Sequence, residues 1–205
     1  MSNTTKTIKS SFYVVVFLFV FTFLLPLTTH ATYTASDVLG QLRNGIPTFT
    51  TKDSNNKTTP NNQGFNYPDG LALDTVHHRL FVSEFGNNRV LEYNLDSSNN
   101  LINHTPDHVL GQPDFSSGQV NQGGDPASTT MSSPEGLSYD STRNLLFVAD
   151  SFNNRVLIFN LASGITDGMS ASNVLGQPNF TAIDYNQGGS PASTTMKVPQ
   201  VLPMT

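Results

Sequence analysis

The sequence predicts an all-β protein assembled from a repeated four-stranded antiparallel unit. Three observations carry the prediction. A 28-residue segment occurs twice without a gap, at Pro68–Leu95 and Pro134–Leu161, with 14 identical positions and a spacing of 66 residues. Each copy breaks into short runs of β-branched, aromatic and aliphatic residues bounded by Asp, Asn, Ser or Gly, as strands are. A second shared element follows each copy, Val109-Leu110-Gly111-Gln112-Pro113-Asp114-Phe115 and then Val174-Leu175-Gly176-Gln177-Pro178-Asn179-Phe180. Recurrence at a fixed period is the mark of a repeat architecture.

In the second copy the strands fall at Gly136–Asp140, Leu145–Asp150 and Arg155–Leu161. The last two form a hairpin around Ser151-Phe152-Asn153-Asn154, because Asn tolerates the left-handed backbone of a tight loop. A fourth strand is expected at Val109–Gln112 and at Val174–Gln177. Four antiparallel strands per repeat make a β-propeller blade. Leu146–Ala149 is apolar without alternation, as in a sheet covered on both faces. The predicted fold is therefore a partial β-propeller, with about two complete blades near 68–133 and 134–198 plus flanking strands. A helical solenoid is excluded by the lack of 3.6-residue periodicity, and a sandwich would not require one motif twice. Val38-Leu39-Gly40-Gln41 is a shorter echo of the second element, and NQGGDPASTTM at 121–131 recurs at 186–196 with one change. Residues 52–64, punctuated by Asn, Thr, Pro and Gly, predict an exposed loop.

The first 31 residues follow another logic. Lys6 and Lys9 precede an apolar run from Phe12 to Leu25 broken only by Thr22, and Thr29-His30-Ala31 places small residues where a signal peptidase reads. That layout predicts a hydrophobic signal segment, cleaved to start the mature chain at Thr32, and hence a secreted, periplasmic or cell-surface protein. The alternative is an N-terminal membrane anchor, for which the run is short of the roughly 20 residues a span needs. Removing 1–31 leaves 8 basic against 15 acidic residues, a balance of −7. Nucleic acid is not an expected partner, since phosphate binding depends on clustered Lys and Arg. The absence of cysteine excludes a disulfide framework and thiol chemistry.

Pro-x-Gly-Leu-x-x-Asp, Leu-Phe-Val-x-(Asp/Glu) and Asn-Asn-Arg-Val-Leu-x-(Tyr/Phe) together resemble the NHL repeat. The added Val-Leu-Gly-Gln-Pro-x-Phe element is similar to exported bacterial members with long blades. The resemblance runs from Val38 to about Pro199. It implies a propeller, commonly of six blades, used as a binding platform and in some relatives as a lyase or hydrolase scaffold. A third copy departs from the pattern, with Val201 where Pro-x-Gly-Leu has Gly.

Several residues are candidates for a site. Glu84 with Arg89, and Asp150 with Arg155, bracket the hairpin loop in both copies. An acid and an arginine so placed can form a bidentate pair, and repetition in each blade points to a structural turn rather than a ligand clamp. Asp69 and Glu135 occupy the variable place in Pro-x-Gly-Leu, at the start of the strand expected to border the central channel. Acids there could hold Ca²⁺, although two ligands are few for that ion; as solvated loop acids they need hold nothing. Gln122, Gly123 and Gly124 open the longest exposed loop of the repeat, the kind of segment that carries recognition on a rigid scaffold. His77, His78, His104 and His108 are expected at the surface. The nucleophile elbow, the phosphate-binding Gly-rich loop and the His-Glu-x-x-His motif are absent from the sequence.

These readings leave two function classes. One is a non-enzymatic scaffold binding a protein, glycan or small molecule. The other is a channel-metal lyase or lactonase with further ligands on other blades. A closed propeller needs at least about four blades, so two blades leave sheet faces and strand edges open. The expectation is a fragment of a longer propeller, with self-association of copies as the other route to closure.

Overall fold

A computed structural model describes residues 35–200, so the signal segment and the departure at Val201 lie outside the described residues. The described chain is all-β, with ten strands in three antiparallel sheets joined by turns and short 3-10 segments. β1 (Leu42–Arg43) and β2 (Ile46–Pro47) form a minimal hairpin. Asn44 and Gly45 link them with φ of 52° and 76°, the left-handed pair a two-residue turn requires.

The first large sheet comprises β3 (Pro68–Asp74), β4 (Arg79–Glu84), β5 (Arg89–Asn94) and β6 (His108–Leu110). The second comprises β7 (Pro134–Asp140), β8 (Leu145–Asp150), β9 (Arg155–Asn160) and β10 (Asn173–Leu175). Each is a meander in which neighbours in sequence are neighbours in space. This matches the partial-propeller expectation of one four-stranded unit per repeat. Both inner strands begin two residues earlier than the second-copy pattern predicts. A register shift between Pro68 and Leu71, and again between Pro134 and Leu137, accommodates Asp-Gly and Glu-Gly as bulges.

Alternation decides which face of each sheet meets which neighbour. Ala72, Phe81, Val90 and Leu110 of the first sheet pack on Leu137, Leu146, Val148, Leu157 and Phe159 of the second, with Met131, Leu161 and Ala171 filling in. The opposite face of the first sheet carries Val82, Leu91, Tyr93 and Val109, covered in part by Leu39, Phe65, Leu101 and Phe115. Coverage stops at β3, where Leu71 and Leu73 are 64% and 52% exposed.

Residues 52–64 form a loop, as predicted, exposed at Lys52 and from Lys57 to Thr59 but not throughout. Asn55 is buried, and Asn55 and Asn56 take left-handed conformations, as do Asn121 with Gln122 and Asn186 with Gln187. Residues 53–64 are thus a further copy of the loop at 121–131, disguised because only Asn55 keeps its residue type in that left-handed pair.

Candidate binding surface

Two knots fix the β4–β5 and β8–β9 hairpins. In the first, Glu84 Oε2 accepts from Arg89 Nε, while Oε1 accepts from the Asn66 amide at 2.8 Å and Asn87 Nδ2 at 2.7 Å. In the second, Asp150 Oδ2 accepts from Arg155 Nε at 2.7 Å and Asn153 Nδ2 at 2.8 Å, and Oδ1 accepts from the Ser132 amide at 2.6 Å. All four charged side chains are fully buried. The pairing is not the bidentate one expected from sequence. Each guanidinium gives only Nε to its acid. Arg89 sends Nη1 to Phe115 O and Nη2 to Asn61 O; Arg155 sends Nη1 to Phe180 O and Nη2 to Ala127 O and Thr130 O. The reason is competition. Buried carbonyls of the flanking loops need donors, and a guanidinium with five N–H groups satisfies both them and the acid. Burial pushes both carboxyls up, while the arginine and the amide donors pull the other way.

Asparagines tie these knots to the preceding loops. Asn87 Nδ2 donates to Asn55 Oδ1 at 2.8 Å and Asn55 Nδ2 returns to Asn87 Oδ1 at 3.2 Å; Asn153 and Asn121 repeat the exchange at 2.9 and 3.3 Å. Sequence reasoning missed Asn55 and Asn121 as partners. Their signal was present, since Asn55, Asn121 and Asn186 follow one another at 66 and 65 residues, the spacing of the repeat itself. Asn88, left-handed at φ 53°, ties its hairpin to the segment that leads into β7 by donating to Gly118 O and accepting from the Ser133 amide.

The inner strands meet through Ser83. The Gly70 amide donates to Ser83 Oγ at 2.7 Å, and Ser83 Oγ donates to Glu135 O at 2.6 Å. A Cβ on Gly70 would lie 2.5 Å from Glu135 O, so this approach of β3 to β7 requires glycine. The bulges leave the side chain of Asp69 exposed and that of Glu135 partly buried. Asp69 lies at the rim of a 430 Å³ cavity lined by Leu39, Phe65, Leu71, Leu80 and Leu101. Among the described residues no group of three or more His, Asp or Glu is placed to hold a metal ion.

Gln122 is turned back on its own loop, Nε2 donating to Thr129 O at 2.9 Å and Gly111 O at 3.3 Å. Gln187 repeats both bonds in the second unit. Gly123 and Gly124 are exposed, with open space around the Cβ position of Gly123. Gln122 also borders a 580 Å³ open groove with Asn66, Asn87, Gln112, Ser116 and Gly118, a lining without a charged side chain. His104 and His108 do not converge: His104 binds Asp37 at 2.6 Å and His108 binds Asp167 at 3.1 Å.

These features define a class: an all-β repeat protein whose units are knotted internally and present loops at their rims. No family model matches the chain. It is 30% identical over 149 residues to NHL repeat-containing protein 2 of Gallus gallus, covering 67% of this chain and 19% of that protein. The same protein of Bos taurus is 28% identical over 148 residues, with the same coverage. The chain spans about a fifth of the length of the curated relatives it matches. These similarities support the NHL-repeat resemblance.

Proposed function

We propose that this chain is part of an exported NHL-type propeller of the long-blade kind, a scaffold that binds a protein, glycan or small molecule without transforming it. One observation carries the reading. The repeated acids, arginines and asparagines of the hairpins are engaged in holding those hairpins together, whereas the acids Asp69 and Glu135 take no part in the knots and stand at the starts of the inner strands. A rigid repeated frame with acids on its rim that the frame itself does not use is suited to recognition. Export is supported by the basic, apolar and small-residue order of 1–31. The blade count supports a place within a larger propeller, completed by further sequence or by other copies.

The test uses protein recovered from the extracytoplasmic fraction. Wild type and an Asp69→Asn/Glu135→Gln variant are screened on a glycan array, and both are assayed for lactone hydrolysis and β-elimination. Saturable retention lost in the variant supports the scaffold. Turnover lost in the variant replaces it with the lyase or lactonase reading, and recovery of the protein only from cytosol overturns export.

A further inference from the structure

The seam between the two large sheets is apolar along most of its length, and Glu92 interrupts it. Glu92 on β5 stands opposite Phe81 on β4 and His108 on β6. Residues directly opposite on antiparallel strands share a face, and Phe81 belongs to the layer that packs on the second sheet. Glu92 is 1% exposed. Its Oε2 is enclosed without a hydrogen-bond partner, and no ion pair among the described residues includes it.

The charged groups around it are accounted for elsewhere. Arg79 on β4 is held by Asp74 and donates across the seam to Tyr139 and Asn144. Asp107, just before β6, accepts from the Asn94 amide. His108 and the Val109 amide both engage Asp167, which belongs to the connection between β9 and β10. Burial first, and then the neighbouring Asp107, push the Glu92 carboxyl up to about 7, against the pull of His108 and Arg79.

The repeat as such does not call for an acid at that place. Ile158 occupies the equivalent place, opposite Phe147 and Asn173. Asp107 and His108 likewise become Ser172 and Asn173. The charged cluster is therefore an addition to the first unit, not a demand of the repeat.

We propose that this seam is a proton-gated joint: protonated Glu92 lets the two sheets close on each other, and its ionisation loosens the contact of β5 and β6 with the β9–β10 connection. The sign follows from linkage. The closed state holds the proton more tightly than the open chain, so the seam is firmest at low pH. It weakens as pH rises from the ordinary glutamate value of 4.5 through about 7. The inference is independent of the scaffold reading, because it concerns stability rather than ligand.

Hydrogen exchange on the whole chain tests it. The Val109 amide, bound to Asp167, and the Gly168 amide, bound to Val109 O, cross the seam and report its opening. Corrected for intrinsic exchange, their protection should fall about tenfold or more between pH 5 and pH 8. That of Asn154, in the distant β8–β9 hairpin, should hold. Glu92→Gln and Glu92→Ile should flatten the seam response, and His108→Asn should keep it. Glu92→Gln preserves shape, so the test survives if Glu92→Ile does not fold. A response that persists in Glu92→Gln, one that vanishes in His108→Asn, or protection that rises with pH would each overturn the proposal.

Discussion

The two large sheets share 14 of 28 aligned residues, yet they differ in what their matching faces touch. Leu137 in the second sheet is 2% exposed because Ala72, Phe81 and Val90 of the first sheet lie over its face. Leu71, its counterpart in the first sheet, is 64% exposed because the 37–66 segment covers only the outer part of that face. The same residue at the same place in equivalent strands thus has different energetic weight. The difference teaches that in a stacked repeat the neighbour, not the residue, determines what a position contributes.

The largest expected effect removes the buried acid–arginine knot, which both sheets contain. Arg155→Ala leaves Asp150 buried without its cation and takes a donor from each of three carbonyls. Breaking a buried pair in this way costs about 3–5 kcal/mol, seen as a large fall in Tm. Arg89→Ala should cost somewhat less, since Arg89 serves two carbonyls rather than three. Equal wild-type Tm in both variants would show that the knots do not hold the sheets.

Leucine truncation sharpens the comparison further. Leu137→Ala should destabilise by about 2–5 kcal/mol, as large-to-small changes in a packed core do. Leu71→Ala should stay within about 0.5 kcal/mol, as surface changes do. Parallel denaturant melts of the pair decide it, and a Leu71→Ala cost matching that of Leu137→Ala would mean that something covers the open face in solution.

The asparagine exchanges come next. Asn121→Ala leaves Asn153 with one unmet acceptor and one unmet N–H, for about 1–3 kcal/mol, and Asn55→Ala should cost a similar amount through Asn87. If Asn55→Ala melts like wild type while Asn121→Ala does not, the disguised loop at 53–64 is not an energetic equal of its copies. The smallest effect belongs to Lys57→Ala. Its pair with Asp53 spans 3.3 Å with a largely exposed lysine, and such pairs contribute about 0–1 kcal/mol.

Hydrophobic runs, turn residues and the repeat spacing were enough, by themselves, to determine the strands, the hairpins and the all-β class, because these depend on local pattern. β8 runs from Leu145 to Asp150 and β9 starts at Arg155, as predicted. The acid and arginine at each hairpin were legible too, because repetition marked them. Tertiary structure decided where the rest of each guanidinium goes, since the carbonyls of Phe115 and Asn61 lie 26 and 28 residues from Arg89. It also decided the meeting of Asn55 with Asn87 and the stitch from Gly70 through Ser83 to Glu135. Glu92 is the clearest case. In sequence it is one charged residue in the short run Arg89–Asn94; only the packing of the second sheet over β5 takes it out of water and makes its proton a term in the stability of the seam.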